Sequence, residues 1–297
     1  MSVAARRRPE VSVLVPARDA AAFLGEAIES VLAQSFTDYE LLIVDDGSRD
    51  ATARIAESYA DPRIEVLRRP RAGVVSASNA GLAQARGALI ARLDADDRML
   101  PGRLAAQVAY LRRHPRVIVV GTDYRLFGAD SGRVRMPRGD RACRQRLLLS
   151  SCFAHSSVMF RAQMLSDNNI GYRGETGGLG EDYALWCELS EYGAFANLRL
   201  VGTAYRVHPG QASRTRWEEL LESYCAIART HAAHRGRSVP EPDELLALLV
   251  PGRVDSPRPV LRAAGRALRR GPGVETTRFV AANTARRLME LYRARSR

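Results

Sequence analysis

Three times in its first hundred residues this chain repeats one pattern: a short apolar run that stops abruptly in polar residues. Residues 11–15 (VSVLV) stop at Pro16-Ala17-Arg18-Asp19. Residues 40–44 (ELLIV) stop at Asp45-Asp46-Gly47-Ser48. Residues 89–93 (LIARL) stop at Asp94-Ala95-Asp96-Asp97. Runs of this kind, with little polar alternation, read as strands covered on both faces. Between them lie segments with helical spacing. Phe23, Leu24, Ala27, Ile28, Val31 and Leu32 recur behind Asp19, which is placed to cap that helix. Asp50 caps a second helix running to about Tyr59; residues 64–67 form another short strand, and residues 74–85 another helix. This alternation predicts an α/β fold with a parallel sheet flanked by helices. Ligands of such sheets bind off the carboxyl ends of the strands. The three polar strand ends, far apart in sequence, are therefore expected to converge at one edge.

The third strand end carries the sharpest chemistry. Three carboxylates within four residues repel one another unless a cation or water relieves them. Hard oxygen ligands in an open cluster suit Mg²⁺ or Mn²⁺, with substrate phosphates completing the coordination. The alternative is a solvated acidic turn that caps the helix expected from Pro101 to about Arg113. The background is strongly basic: net charge is +12, and every one of the 45 basic residues is arginine. That excess favours anionic partners, such as nucleotide sugars, anionic lipid surfaces or nucleic acid.

Further along, residues 117–120 read as a strand. Residues 124–127 and 134–136 flank a hairpin turn, and residues 156–160 form a strand preceded by His155. A glycine-rich loop, GETGGLG at 174–180, delivers Glu181-Asp182 to the start of a helix; glycine leaves such a loop adaptable, and it is expected to order with ligand. Residues 198–205 form a last strand, followed by Arg206-Val207-His208-Pro209-Gly210. After about residue 212 the pattern turns helical, with segments 217–231, 241–249, 259–270 and 275–295. Segment 259–270 is a basic amphipathic helix, suited equally to packing or to a membrane surface.

These pieces, in this order, resemble family 2 glycosyltransferases of the GT-A fold. They are the block 11–52 (VSVLVPARDAAAFLGEAIESVLAQSFTDYELLIVDDGSRDAT), LDADD with PGRL, AHSSVMFR, GEDYALW and YRVHPGQAS, spanning roughly residues 9–213. The resemblance implies a Rossmann-like, mostly parallel mixed sheet over residues 9–211; the helical, arginine-rich extension read from the pattern over 212–297 lies outside it. The resemblance further implies an inverting transfer of a sugar from a nucleotide-diphosphate sugar, most simply a UDP-sugar, to a hydroxyl acceptor on a glycan or lipid-linked intermediate.

The resemblance also assigns roles. Pro16, Ala17 and Arg18 line the nucleobase and ribose pocket, and Asp46 accepts a hydrogen bond from the base. Asp94 reaches toward ribose or metal-bound water; Asp96 is the direct ligand of Mn²⁺ or Mg²⁺, so both are metal residues. Asp182 is the catalytic base and Glu181 assists in sugar binding. His155 is an acceptor-side residue or a satisfied structural histidine; Trp186 lines the acceptor cleft or belongs to the core. Arg206 and His208 sit in the segment that closes over the diphosphate, with Gln211 and Ser213.

Competing functions remain open at this level: a catalytically silent nucleotide-sugar-binding protein, or a nucleic-acid-binding protein. The latter lacks any helix-turn-helix, zinc-finger or RNA-binding signature, so nucleic acid is not an expected partner. The four cysteines have no zinc-ligand spacing. No apolar run approaches the roughly 20 residues needed to cross a bilayer. The basic 6–8 run before residues 11–15 is too short-flanked to be a signal peptide. The expected location is cytoplasmic, with peripheral contact to the inner membrane face.

Overall fold

A computed structural model describes residues 8–174 and 178–236. The chain forms two compact units, Met1–Met136 with Phe153–Gln211, and Pro137–Cys152 with Ala212–Arg297. Residues 137–152, read from sequence as part of the first domain, group with the second.

The first unit opens with β1 (Val11–Ala17), α1 (Leu24–Leu32), β2 (Tyr39–Asp46), α2 (Thr52–Glu57), β3 (Ile64–Arg69), α3 (Val74–Gln84) and β4 (Leu89–Arg92). β1 pairs in parallel with both β2 and β4, and β2 with β3. Every residue of β1, β2 and β4 is buried, as expected for strands covered on both faces. Val11, Val13 and Val15 join the core formed with Leu24, Ile28 and Val31 of α1. Leu14 points the other way, onto α3. There Gly81 brings the helix so close that a Cβ would lie 2.1 Å from Leu14 Cδ1.

After the acidic cluster come β5 (Arg98–Met99), α4 (Arg103–Arg113), β6 (Val117–Gly128) and β7 (Gly132–Val134). α5 (Gly139–Leu147) follows in the second unit. The first unit resumes with a 3₁₀ turn, His155–Ser157, then β8 (Met159–Arg161), α6 (Ala162–Asn168), α7 (Glu181–Leu189) and β9 (Ala194–Val207). The sheet runs β3-β2-β1-β4-β8-β6-β9-β5, with β7 on β6. β8 lies antiparallel to β4 and β6, whereas β6 and β9 are parallel. The sheet is thus mixed, and its parallel half carries the three polar ends.

Several sequence expectations change. Asp19 does not cap α1, which begins only at Leu24. It adopts φ +47° and its Oδ1 accepts the Arg49 N–H at 2.8 Å, tying the β1 exit to the β2 exit. The strands read at 117–120 and 124–127 are one strand, β6, irregular where it pairs with β9 near Thr122 to Tyr124. His155 does not precede a strand from residue 156. It opens the 3₁₀ turn, and the strand begins at Met159.

In the second unit, α8 (Ala212–Thr215) precedes α9 (Trp217–His234), which buries Leu221, Cys225, Ala228 and Ala232 along one stripe. Among the described residues no helix is long and apolar enough to cross a membrane. The segments read at 241–249, 259–270 and 275–295, and loop residues 175–177, lie outside the described residues.

Candidate active site

The β1 and β2 exits are laced together by backbone amides and short polar side chains. The Asp19 N–H donates to Ser48 Oγ (3.0 Å), Ala20 N–H to Thr52 Oγ1 (2.7 Å) and Ala21 N–H to Asp50 Oδ2 (3.0 Å). Pro16 and Ala17 are buried and Arg18 is exposed, with its Nε 3.5 Å from Asp19. Asp46 is buried and both its oxygens are engaged: Oδ1 accepts the Ala72 N–H at 2.8 Å, and Oδ2 the Gly73 N–H at 2.9 Å. Its carboxylate therefore has a structural duty that the sequence did not announce: it holds the segment leading into α3. Each carboxylate oxygen has a second lone pair for a ligand. Gly47 follows because a Cβ there would meet Arg71 N at 2.7 Å, and its φ of +69° suits glycine.

At the end of β4 the repulsion among carboxylates is met first by protein cations. Arg92, buried within its strand, forms an ion pair with Asp94 at 2.8 Å, and the Asp94 N–H donates to Ser156 Oγ at 3.0 Å. Asp96 Oδ2 lies 3.1 Å from His208 Nε2. Asp97 Oδ1 accepts the Arg206 N–H at 2.8 Å, and Arg206 Nε donates to the Asp96 carbonyl at 2.8 Å. Burial, with Asp94 beside them, raises the Asp96 carboxyl and lifts that of Asp97 well above the ordinary carboxylate range.

Arg206 is itself fixed from behind. It pairs with Glu26, which also takes the Arg98 Nε at 2.6 Å, and its guanidinium stacks over Phe23 at 4.7 Å and Phe127 at 4.4 Å. Burial pulls Glu26 upward, but the two arginine hydrogen bonds outweigh it and hold the carboxyl below its usual value. His208 packs on Phe23 at 4.8 Å, and Gln211 Oε1 accepts the His208 N–H at 3.1 Å.

Arg103 braces this assembly from below. It is fully buried and donates to Ser156 O, Arg92 O, Val158 O, Thr203 Oγ1 and Gln107 Oε1 at 2.7–3.2 Å. Burial pushes it down to about 9, which leaves it charged at neutral pH.

A divalent ion is a reasonable guest here on donor chemistry. Asp94 and Asp96 offer partly exposed carboxylates, and His208 Nε2 lies beside Asp96. Among the described residues no three His, Cys, Asp or Glu side chains are arranged to hold an ion unaided. Mg²⁺ and Mn²⁺ bind through one or two carboxylates plus phosphate and water, a donor set to which Asp94 and Asp96 would contribute the carboxylates.

The acid pair opens α7. Gly180 at φ +76° turns the chain into the helix, so Glu181 and Asp182 fall in its first turn, where the helix dipole favours negative charge. Burial opposes this. It pushes Asp182 up to about 6, with Asp94 adding to the rise and the Tyr183 N–H resisting it. It pushes Glu181 up to about 8, reinforced by Asp182 and Asp94 and opposed by Arg92. Asp94, Arg92, Glu181 and Asp182 thus lie within electrostatic reach of one another.

His155 joins them, its Nδ1 4.0 Å from Glu181 Oε1 and its Nε2 2.8 Å from the Tyr172 hydroxyl. Burial and Arg92 hold its pKa well below the usual value, so the ring is neutral at pH 7. Trp186 is fully buried, packed edge-on against Phe153, Phe160 and His155. Among the described residues its indole N–H has no hydrogen-bond partner, yet it lies close enough to Asp182 to favour the ionised carboxyl. Of the two readings of Trp186, the core position is the observed one.

α3 links the two carboxylate groups along the chain: Asp46 holds Gly73 just before that helix, and a Cβ on Gly178, in the loop before α7, would lie 3.9 Å from Val74 at its start. Sequence reading missed Arg92, Arg103, Glu26, Asn79 and Tyr172. For Arg92 a signal existed, an arginine inside an otherwise apolar strand. For Arg103 it was an arginine on the face of α4 that buries Leu104, Val108 and Leu111.

Comparison with known proteins bears on the family and the fold. Residues 12–168 match the family model described as glycosyl transferase family 2. The EpsE protein of Bacillus subtilis is 36% identical over 207 residues, covering 67% of this chain and 73% of EpsE. The succinoglycan biosynthesis protein ExoO of Rhizobium meliloti is 32% identical over 224 residues, covering 69% of this chain and 63% of ExoO. Among solved structures, the mannosyltransferase PcManGT of Pyrobaculum calidifontis, in complex with GDP-Man and Mn²⁺, superposes with a TM-score of 0.63 at 19% identity, covering 97% of this chain and 83% of that one. TarS of S. aureus in complex with UDP-GlcNAc gives 0.62 at 18%, covering 97% and 92%. The fold is GT-A, and the chain belongs to glycosyl transferase family 2.

Proposed function

We propose that this protein is an inverting, metal-dependent glycosyltransferase that moves a sugar from a nucleotide-diphosphate sugar to a hydroxyl of a glycan or lipid-linked acceptor. The observation that carries the reading is the carboxyl pair of Glu181 and Asp182, buried at the head of α7 and within electrostatic reach of Asp94. Asp182 takes the proton of the acceptor hydroxyl as that oxygen attacks the anomeric carbon from the face opposite the diphosphate. A single displacement of this kind inverts the centre, and no nucleophilic side chain is required. Glu181 and His155 orient sugar hydroxyls.

Pro16, Ala17 and Arg18 border the nucleoside, and Asp46 presents its remaining lone pairs to a base N–H. Arg206 brings positive charge to the diphosphate, and Arg206 and His208 bring N–H groups to it. Asp94 and Asp96 hold Mn²⁺ or Mg²⁺, which when bound supplies charge stabilisation to the leaving diphosphate. The likeness to ExoO, to TarS with UDP-GlcNAc and to PcManGT with GDP-Man and Mn²⁺ supports this assignment and a role in polysaccharide assembly. The arginine-rich extension suits contact with an anionic membrane, at the cytoplasmic face.

The test is nucleoside-diphosphate release from a panel of UDP-, GDP- and dTDP-sugars, with Mn²⁺, with Mg²⁺ and with EDTA. Release that one donor supports and EDTA abolishes is the expected result. Release undiminished by EDTA removes the metal from the assignment, and silence with every donor removes the activity.

A further inference from the structure

His155 and Glu181 face each other with Nδ1 and Oε1 4.0 Å apart, too far for a direct hydrogen bond. Each side chain keeps 12% of its surface exposed, and a hydroxyl oxygen about 2.8 Å from both atoms would sit beside the pair, off the line that joins them. What His155 offers across that gap depends on which ring nitrogen bears the proton, and the other nitrogen's partner decides this.

That partner is the Tyr172 hydroxyl, 2.8 Å from Nε2. Among the described residues this hydroxyl bonds to nothing else. Burial raises the phenol above its ordinary range, so it keeps its proton. A phenol can donate or accept; with no other acceptor for its proton among the described residues, donation to Nε2 is the arrangement that satisfies both groups. The single N–H of the ring then falls on Nδ1, on the Glu181 side.

Tyr172 is in turn gripped at its backbone. Asn79 of α3 donates from Nδ2 to the Tyr172 carbonyl at 2.8 Å, and its Oδ1 accepts the Tyr172 N–H at 2.9 Å. Gly171 permits this close approach, since a Cβ there would lie 2.9 Å from Asn79 Oδ1. Trp186, edge-on to His155 at 6.1 Å between ring centroids, walls the imidazole on another side.

We propose that Tyr172, anchored by Asn79, is a positioning residue that fixes His155 as the Nδ1–H tautomer, so that His155 and Glu181 present one donor and one acceptor to a single sugar hydroxyl. The identity of that hydroxyl rests on the glycosyl-transfer reading; the tautomer does not. A hydroxyl both donates and accepts, so one group lying beside the pair can bridge Nδ1–H and the carbonyl oxygen of the Glu181 carboxyl.

Long-range ¹H–¹⁵N spectra of the full chain at pH 7.5 read the tautomer without turnover, and His155→Gln assigns the signal by removing it. The wild type is expected to show a protonated Nδ1 and a bare Nε2. Tyr172→Phe, which keeps the ring, is expected to shift the population toward Nε2–H. It should also lower kcat/KM for the sugar donor or acceptor about tenfold, the weight of one hydrogen bond, while leaving binding of the free nucleoside diphosphate unchanged. An Nε2–H ring in the wild type, or the same population in Tyr172→Phe, overturns the proposal. Silence with every donor would instead overturn the activity and leave the spectral result standing.

Discussion

Asp182 and Glu181 pay for their position in protonation. Burial sets the pair's two apparent steps at about 6 and about 8. A base must be ionised to accept a proton, so kcat/KM should rise as pH passes upward through about 6, which an initial-rate profile from pH 5 to 9 checks. Stability runs the other way. An unfolded aspartate titrates near 3.9, so between about 4 and 6 the folded chain holds more protons than the unfolded one. The free energy of unfolding therefore falls as pH rises through that window; the share due to Asp182 is fully lost above it, and that due to Glu181 continues to be lost up to about 8. Asp182→Asn removes this penalty along with the base. It should lower transfer about 10²–10⁴-fold, retain nucleotide binding, and stabilise the fold at pH 8 by about 1–3 kcal/mol. Nucleotide release and thermal melts at pH 8 measure the two effects, and a variant that melts below wild type contradicts the account. Arg103 is the converse case, a buried charge whose donors are all used. Arg103→Met strands the carbonyls of Arg92, Ser156 and Val158 and should cost about 3–5 kcal/mol in urea unfolding, as when one partner of a buried charged network is removed.

The elements divide by how local their causes are. β1, β2 and β4 were legible because burial on both faces writes a continuous apolar run. β6 was read as two strands because its distal half is partly exposed and loses the pattern. α5 was not read at all: it buries only Cys143 and Leu147 among its arginines. The acidic residues were legible as motifs, but what holds them was not. Glu26 meets Arg206 across 180 positions of chain, and Asn79 meets Tyr172 across 93, distances over which one sequence carries no pairing signal. Asp19 shows local chemistry losing to such a contact, since its side chain serves Arg49 rather than α1. The seat of α3 is equally non-local and can be tested. Gly81→Ala adds helix propensity, about 1 kcal/mol in isolation, yet drives a methyl to within 2.1 Å of Leu14 and 3.1 Å of Val44. Overpacking should win by about 1–3 kcal/mol, seen as a lower urea midpoint. A raised midpoint would mean α3 sits farther from the sheet.

At the scale of the whole molecule, charge is unevenly divided. Residues 212–297 contain 17 arginines against nine acidic residues, and so hold +8 of the net +12. Residues 1–211, which carry the acidic site, hold the remaining +4, with 28 arginines against 24 acidic residues. On the reading proposed above, the diphosphate meets Arg206, and the surplus carried by residues 212–297 is proposed to serve an anionic surface. Arginines spread along a helical pattern suit a surface of negative charge, and each near an anionic membrane contributes about 1 kcal/mol. The full chain should therefore sediment with vesicles of phosphatidylglycerol and phosphatidylcholine, and not with phosphatidylcholine alone. Binding should weaken steeply with salt, because the screening length falls to about 3 Å at 1 M. Replacing Arg262, Arg266, Arg269 and Arg270 together by glutamine removes four of those charges and should lower vesicle affinity by a hundredfold or more, at about 1 kcal/mol each. Nucleotide release from a soluble donor should be untouched, since none of the four belongs to the proposed site. Equal sedimentation with neutral vesicles, or binding indifferent to salt, would assign the surplus charge to some other partner.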